Sequence, residues 1–224
     1  MRVLSILFVL ALLAGFGTAA HAGAWPRDKG ALFIAAGGNF LLSEGAELPV
    51  YYDPTVYAEY GLSDRVTLGL DLFTADKGRI ASVFGFAAVP VGSINGQNRT
   101  MVSLGYGYRL NADTTTEVLM RMGLSLGRGL DKGWLAADIS ATIGTVDTTW
   151  RPKADFTWGR SWSDRWTTTL QLQTGQGFFD DYYAKYSPTV ILSVTDRIKI
   201  NLGAVKALTG DGGSALKLET WLTF

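Results

Sequence analysis

Three segments of this chain alternate oily and hydrophilic residues, each directly after a short polar turn. After Arg65, Val66, Leu68, Leu70 and Leu72 alternate with Thr67, Gly69 and Asp71. After Arg165, Trp166, Leu170 and Leu172 alternate with Thr167, Thr169, Gln171 and Gln173, with Thr168 the one polar intruder on the apolar side. After Arg197, Ile198, Ile200, Leu202 and Ala204 alternate with Lys199, Asn201 and Gly203. A β-strand sends successive side chains to opposite faces, so each segment has one greasy and one polar face. The turns read Ser63-Asp64-Arg65, Ser163-Asp164-Arg165 and Thr195-Asp196-Arg197, where short side-chain oxygens can satisfy nearby backbone N–H groups. The phase also holds ahead of the first turn, with Ala58, Tyr60 and Leu62 set against Tyr57, Glu59 and Gly61.

Extended along the chain, the pattern predicts about twelve strands: 30–41, 54–62, 66–74, 79–90, 99–110, 115–126, 133–143, 152–162, 166–175, 184–194, 198–208 and 214–224. Each is near the roughly 9–11 residues that a tilted strand needs to cross a bilayer. An even count puts both termini at one end, together with the three Asp-Arg turns. Ten or fourteen strands also accommodate the pattern. Asn111 to Thr114 is short and Val91 to Asn98 long for the ends they fall on, and segments 30–41 and 79–90 are apolar on both faces. The longer loops at the other end are expected over Ser43–Asp53, Gly144–Arg151 and Gln176–Tyr183.

Alternation also suits a soluble barrel with its oily face inward. Two features favour the reverse. The polar face is rich in Thr, Gln, Asn and Gly, and aromatic residues cluster beside the turns (Tyr60, Trp158, Trp162, Trp166, Trp221), where an interfacial girdle belongs. The last strand adds a third. Counting back from Phe224 gives Leu222, Thr220, Leu218 and Leu216, and the chain stops on the aromatic. This strand, with the repeated turns, resembles proteobacterial outer-membrane β-barrel proteins. The resemblance implies an all-β fold, an antiparallel transmembrane up-and-down barrel, in which Phe224 is the signal read by the barrel-assembly machinery and outer-membrane lipid surrounds the sheet.

The opposite end agrees with export. Met1-Arg2 is a minimal basic start, Val3 to Gly15 an apolar run too short to span a bilayer, and Ala20-His21-Ala22 a small-x-small cleavage site. Residues 1–22 are therefore read as a signal peptide and 23–224 as a single barrel domain in the outer membrane.

Composition then narrows the chemistry. The chain has no Cys, and its one His, His21, leaves with the signal peptide. Thiolate metal sites and His-based catalysis are excluded from the mature chain, and neither cofactor nor metal is expected. Gly123-Leu124-Ser125-Leu126-Gly127 matches the nucleophile-elbow pattern, but that motif needs a strand-to-helix turn and a His partner. It is a chance match, and an enzyme is not expected. With basic and acidic residues balanced, nothing suggests nucleic acid as a partner.

By phase, the lumen is expected to carry Glu59, Asp71, Glu117, Asp138, Asp155 and Glu219 against Arg109, Arg121, Lys199 and Lys217. Such groups either form a selectivity constriction for a small solute or pair and fill the interior. Six acids to four bases suggest at most a mild cation preference. In the loop over 176–183, Asp180, Asp181, Tyr182 and Tyr183 are candidates to bind a ligand, with membership of an aromatic girdle as the plainer reading. Three functions stay open: a narrow passive channel or small-molecule binder, a structural or surface-interaction barrel with a filled lumen, and a soluble periplasmic barrel binding an apolar ligand.

Overall fold

The computed structural model describes residues 23–42, 51–75, 80–111, 113–145, 148–177, 181–210 and 213–224. Residues 1–22, read as the signal peptide, lie outside them, as does most of the expected loop over Ser43–Asp53. The described residues form twelve strands: β1 Leu32–Leu42, β2 Tyr51–Ser63, β3 Val66–Ala75, β4 Ile80–Pro90, β5 Asn98–Leu110, β6 Thr116–Leu130, β7 Gly133–Gly144, β8 Trp150–Ser161, β9 Trp166–Gln176, β10 Tyr182–Ser193, β11 Ile198–Thr209 and β12 Ser214–Thr223. Every strand pairs antiparallel with its neighbours in sequence, and β12 pairs with β1 from Phe33↔Thr223 to Leu42↔Ser214 to close the barrel. Closure leaves no edge strand with unpaired backbone groups, which is what a hydrocarbon solvent demands of a sheet. Phe224 completes the seam: its N–H donates to the Leu32 carbonyl at 2.9 Å, and its own carbonyl accepts from Leu32 at 3.1 Å.

The oily face points outward. Leu68, Leu170 and Ile200 are 40%, 37% and 39% exposed, although each sits mid-strand. Their alternates Thr67, Thr169 and Asn201 are buried inside the ring. A soluble barrel with an apolar interior needs the opposite arrangement, so that expectation is overturned. The three polar turns form as the side-chain chemistry dictates. Ser63 Oγ and Ser163 Oγ each accept from the amide two residues on at 3.3 Å, and Thr195 Oγ1 does so at 3.2 Å.

The strict even count holds, and the two awkward connections simply have unusual lengths. At the loop end the Asn111 N–H donates to the Thr115 carbonyl at 2.9 Å, and Asp113 Oδ1 accepts from both the amide and the hydroxyl of Thr115 at 3.0 and 2.6 Å. Some strands overrun their predicted limits. β6 continues to Leu130 because Gly127 and Gly129, which carry no hydrophobic signal, still pair with Ala136 and Trp134. β10 begins at Tyr182, so Tyr182 and Tyr183 are strand residues rather than loop residues. Of the aromatic girdle, Tyr60, Trp162 and Trp166 are exposed beside the turns. Trp221 is not part of it. It shares the phase of Glu219 and faces the interior, where its ring meets Phe33 edge-on at 5.7 Å.

The interior is less polar than alternation alone suggests. Phe84 and Phe86 on β4 point inward, which explains why that segment is apolar on both faces. Each lies over a glycine of an adjacent strand: a side chain at Gly69 would collide with the Phe86 ring, and one at Gly107 with Phe84. Trp134 covers Gly159 in the same way.

Candidate functional site

The inward phase of the strands builds a lumen with ionised side chains at three levels. At the loop end, Arg109 and Glu117 are register partners on β5 and β6 and form a buried ion pair, with Asp53 and Arg151 buried on the same face. At mid-height Arg121 crosses the wall above β5 and β4 to reach Asp71 on β3, Nη1 to Oδ2 at 2.7 Å. Its guanidinium lies 4.3 Å from the Phe84 ring on the way. Two glycines, Gly105 and Gly107, keep β5 low beneath this bridge. Lys153 pairs with Asp155 at 2.7 Å and Lys217 with Glu219 at 3.2 Å. Nearer the turn end Tyr57 donates to Glu59 Oε1 at 2.6 Å, and Glu59 Oε2 accepts from Arg27 at 2.6 Å.

The mid-height groups, with Tyr57 and Glu59, line a cavity of about 400 Å³. Seven of the ten charged residues expected in the lumen line it: Glu59, Asp71, Arg121, Asp138, Asp155, Lys217 and Glu219. Arg109 and Glu117 are inside but spend their charge on each other at the loop end, and Lys199 faces inward below the cavity, opposite Trp221 in register. Among the described residues, Asp138 Oδ1, Asp155 Oδ1 and both polar side-chain atoms of Asn201 are buried with no hydrogen-bond partner, and all three residues line the cavity. Asp138 and Asp155 are cross-strand partners on β7 and β8, so two carboxylates share one patch of wall.

Sequence phase alone misses part of the charge. Asp53, Arg99, Arg151, Lys153 and Lys185 also take the inward phase of their strands, and Arg27 enters from the segment before β1. One further acid against five further bases turns the expected acidic excess into a slight basic one, which removes the argument for a cation preference. The five strand residues all lie within the first four positions of their strands, where the alternation has too few residues to set a phase. Arg27 lies outside any alternating stretch.

Among the described residues, the loop candidates Asp181, Tyr182 and Tyr183 point apart. Asp180 lies outside the described residues. Asp181 serves the backbone, its carbonyl accepting from Gly177 at 2.7 Å. Tyr182 is exposed on the outer face. Tyr183 turns inward, with Lys185 Nζ 5.2 Å from its ring centroid. The chance match at Gly123–Gly127 lies wholly within β6, with Ser125 opposite Asp138.

No protein-family model matches the chain, and no curated protein matches it. Solved structures do. The chain is similar to an outer membrane channel from Pseudomonas putida F1, with a TM-score of 0.61 at 11% identity over 92% of this chain and 100% of that one. It is also similar to the KdgM porin solved in complex with disordered oligogalacturonate, with a TM-score of 0.59 at 8% identity over 87% of this chain and 99% of that one. At such identities the likeness is one of fold: a twelve-stranded antiparallel barrel.

Proposed function

We propose that this protein is a narrow passive channel of the Gram-negative outer membrane, exported by a cleaved signal peptide and passing or holding a small polar solute. The observation that carries this reading is the cavity whose wall presents Asp155 Oδ1 and the Asn201 amide with no hydrogen-bond partner among the described residues. Buried polar atoms cost about 1–3 kcal/mol each when unsatisfied. A wall that leaves several facing one space is built for water or a hydrogen-bonding solute. Twelve strands also fall between eight-stranded barrels, filled by side chains, and sixteen-stranded ones with an open aqueous channel. The outward Leu, Ile and Trp residues suit lipid as the surrounding partner, and the exposed Phe224 closing the seam suits a final strand handed over by the barrel-assembly machinery. The named neighbours are channels and porins, which agrees with this reading.

The residues proposed to tune passage are those at the Arg121–Asp71 bridge and the Asp138–Asp155 patch, with Glu59, Lys217 and Glu219 around them. With basic and acidic groups nearly balanced in the lumen, ion selectivity should be weak. Purified protein added to a planar bilayer should give discrete conductance steps, and Arg121→Ala, which removes the bridge, should raise the step size. A refolded barrel that stays silent in both forms would remove the channel.

A specific observation favours the second reading, a filled structural barrel. Arg27–Glu59, Arg109–Glu117, Arg121–Asp71, Lys153–Asp155 and Lys217–Glu219 are all paired within the lumen. On that reading Arg121→Ala changes unfolding and leaves permeability untouched.

A further inference from the structure

Residues 23–31, ahead of β1, do not hang free at the mouth; they run up inside the barrel. Gly30 and Ala31 are tied to Gly61 of β2 by backbone hydrogen bonds at 2.8 and 2.9 Å. Arg27 donates its backbone N–H to Thr67 Oγ1 at 3.1 Å, sets its guanidinium 2.6 Å from Glu59, and lies 4.3 Å from the Phe33 ring centroid. Ala24 is wholly buried, and it and Trp25 press on β6 so closely that any side chain at Gly127 would overlap them. The segment thus crosses from the β2–β3 wall to the β6–β7 wall. At its inner end Gly23 packs directly on the Asp138 carboxylate, where a Cβ would overlap Oδ1. A side chain has no room at this position, which suits glycine as the residue that meets Asp138.

Two carboxylates, Asp138 and Asp155, meet at this point in cross-strand register. Lys153 answers Asp155, while Asp138 Oδ1 has no hydrogen-bond partner among the described residues. The sequence puts the cleavage site between Ala22 and Gly23. Cleavage there hydrolyses the Ala22–Gly23 peptide bond and leaves an α-ammonium one bond from the Cα that touches Asp138. We propose that this new α-ammonium is the counter-ion of Asp138, making residues 23–28 a cationic strap across the lumen whose inner end is completed only by removal of the leader. The inference rests on the cleavage reading. It needs the channel reading only for its effect on conductance.

The test uses the mature barrel purified from membranes. Intact mass should place the N-terminus at Gly23. An amine-reactive acetylating ester at neutral pH should modify the Gly23 amine about tenfold more slowly in the folded barrel than in an Asp138→Asn/Asp155→Asn barrel, because a neighbouring carboxylate holds the amine in its unreactive charged form. Should the double variant fail to fold, Asp138→Asn alone serves the comparison. A mature terminus at another residue, or equal acetylation rates in wild type and variant, would each overturn the proposal. A protected amine in a barrel that never conducts would uphold the ion pair and count against the channel alone.

Discussion

At the scale of single residues, the interior is organised by large side chains lying over glycines. Phe86 occupies the space a side chain at Gly69 would need, and Trp134 that of Gly159, while nothing lies within 4 Å of a Cβ built at Gly85 on the outward face. Gly69→Val and Gly159→Val should therefore destabilise the refolded barrel by about 1–3 kcal/mol through overpacking, and Gly85→Val should do so far less. Urea unfolding followed by tryptophan fluorescence separates the two classes. Equal effects at all three positions would contradict the packing account. These pairs were not legible in the sequence, because whether a Phe can point inward depends on what stands beside it on the next strand. Glu59 shows the same limit. Its inward phase followed from the alternation beside Tyr60, but its partner Arg27 lies 32 positions away in a stretch with no alternation.

At the scale of strands and turns, far more could be read ahead. The phases after Arg65, Arg165 and Arg197 came directly from side-chain period, and each holds in the barrel. Where a strand carried bulky residues on both faces, as in β4, or glycines at its end, as in β6, the hydrophobic signal lost either phase or boundary. Trp221 lies near the turn end, yet it takes the inward phase of Glu219, because strand phase rather than nearness to a turn decides which face a side chain takes. The inside-out assignment makes a sharp contrast within β9: Leu170→Arg puts a charge on the lipid face and should cost about 2–4 kcal/mol if it lies near the bilayer midplane. Gln171→Arg, one residue along and facing the lumen, should cost little. Both are read by denaturant titration in vesicles. In the β8–β9 turn, Ser163→Ala removes the acceptor for Arg165 and Trp166 amides at 3.3 and 3.2 Å. That loss should cost about 0.5–1.5 kcal/mol.

At the scale of the whole molecule, the outer Leu and Ile belt, the seam between β1 and β12, and the lumen charges are consequences of one choice of solvent on each side of a single sheet. Closure satisfies every strand edge, and the paired charges with the N-terminal strap set how much space remains inside. The most direct test labels β9 residue by residue from Thr168 to Gln173 with single cysteines, each carrying a nitroxide, in reconstituted vesicles. Positions 168, 170 and 172 should be reached by lipid-soluble oxygen and 169, 171 and 173 by a water-soluble nickel chelate or by neither relaxant. Oxygen access that peaks at the odd positions, or shows no two-residue period, would contradict the account.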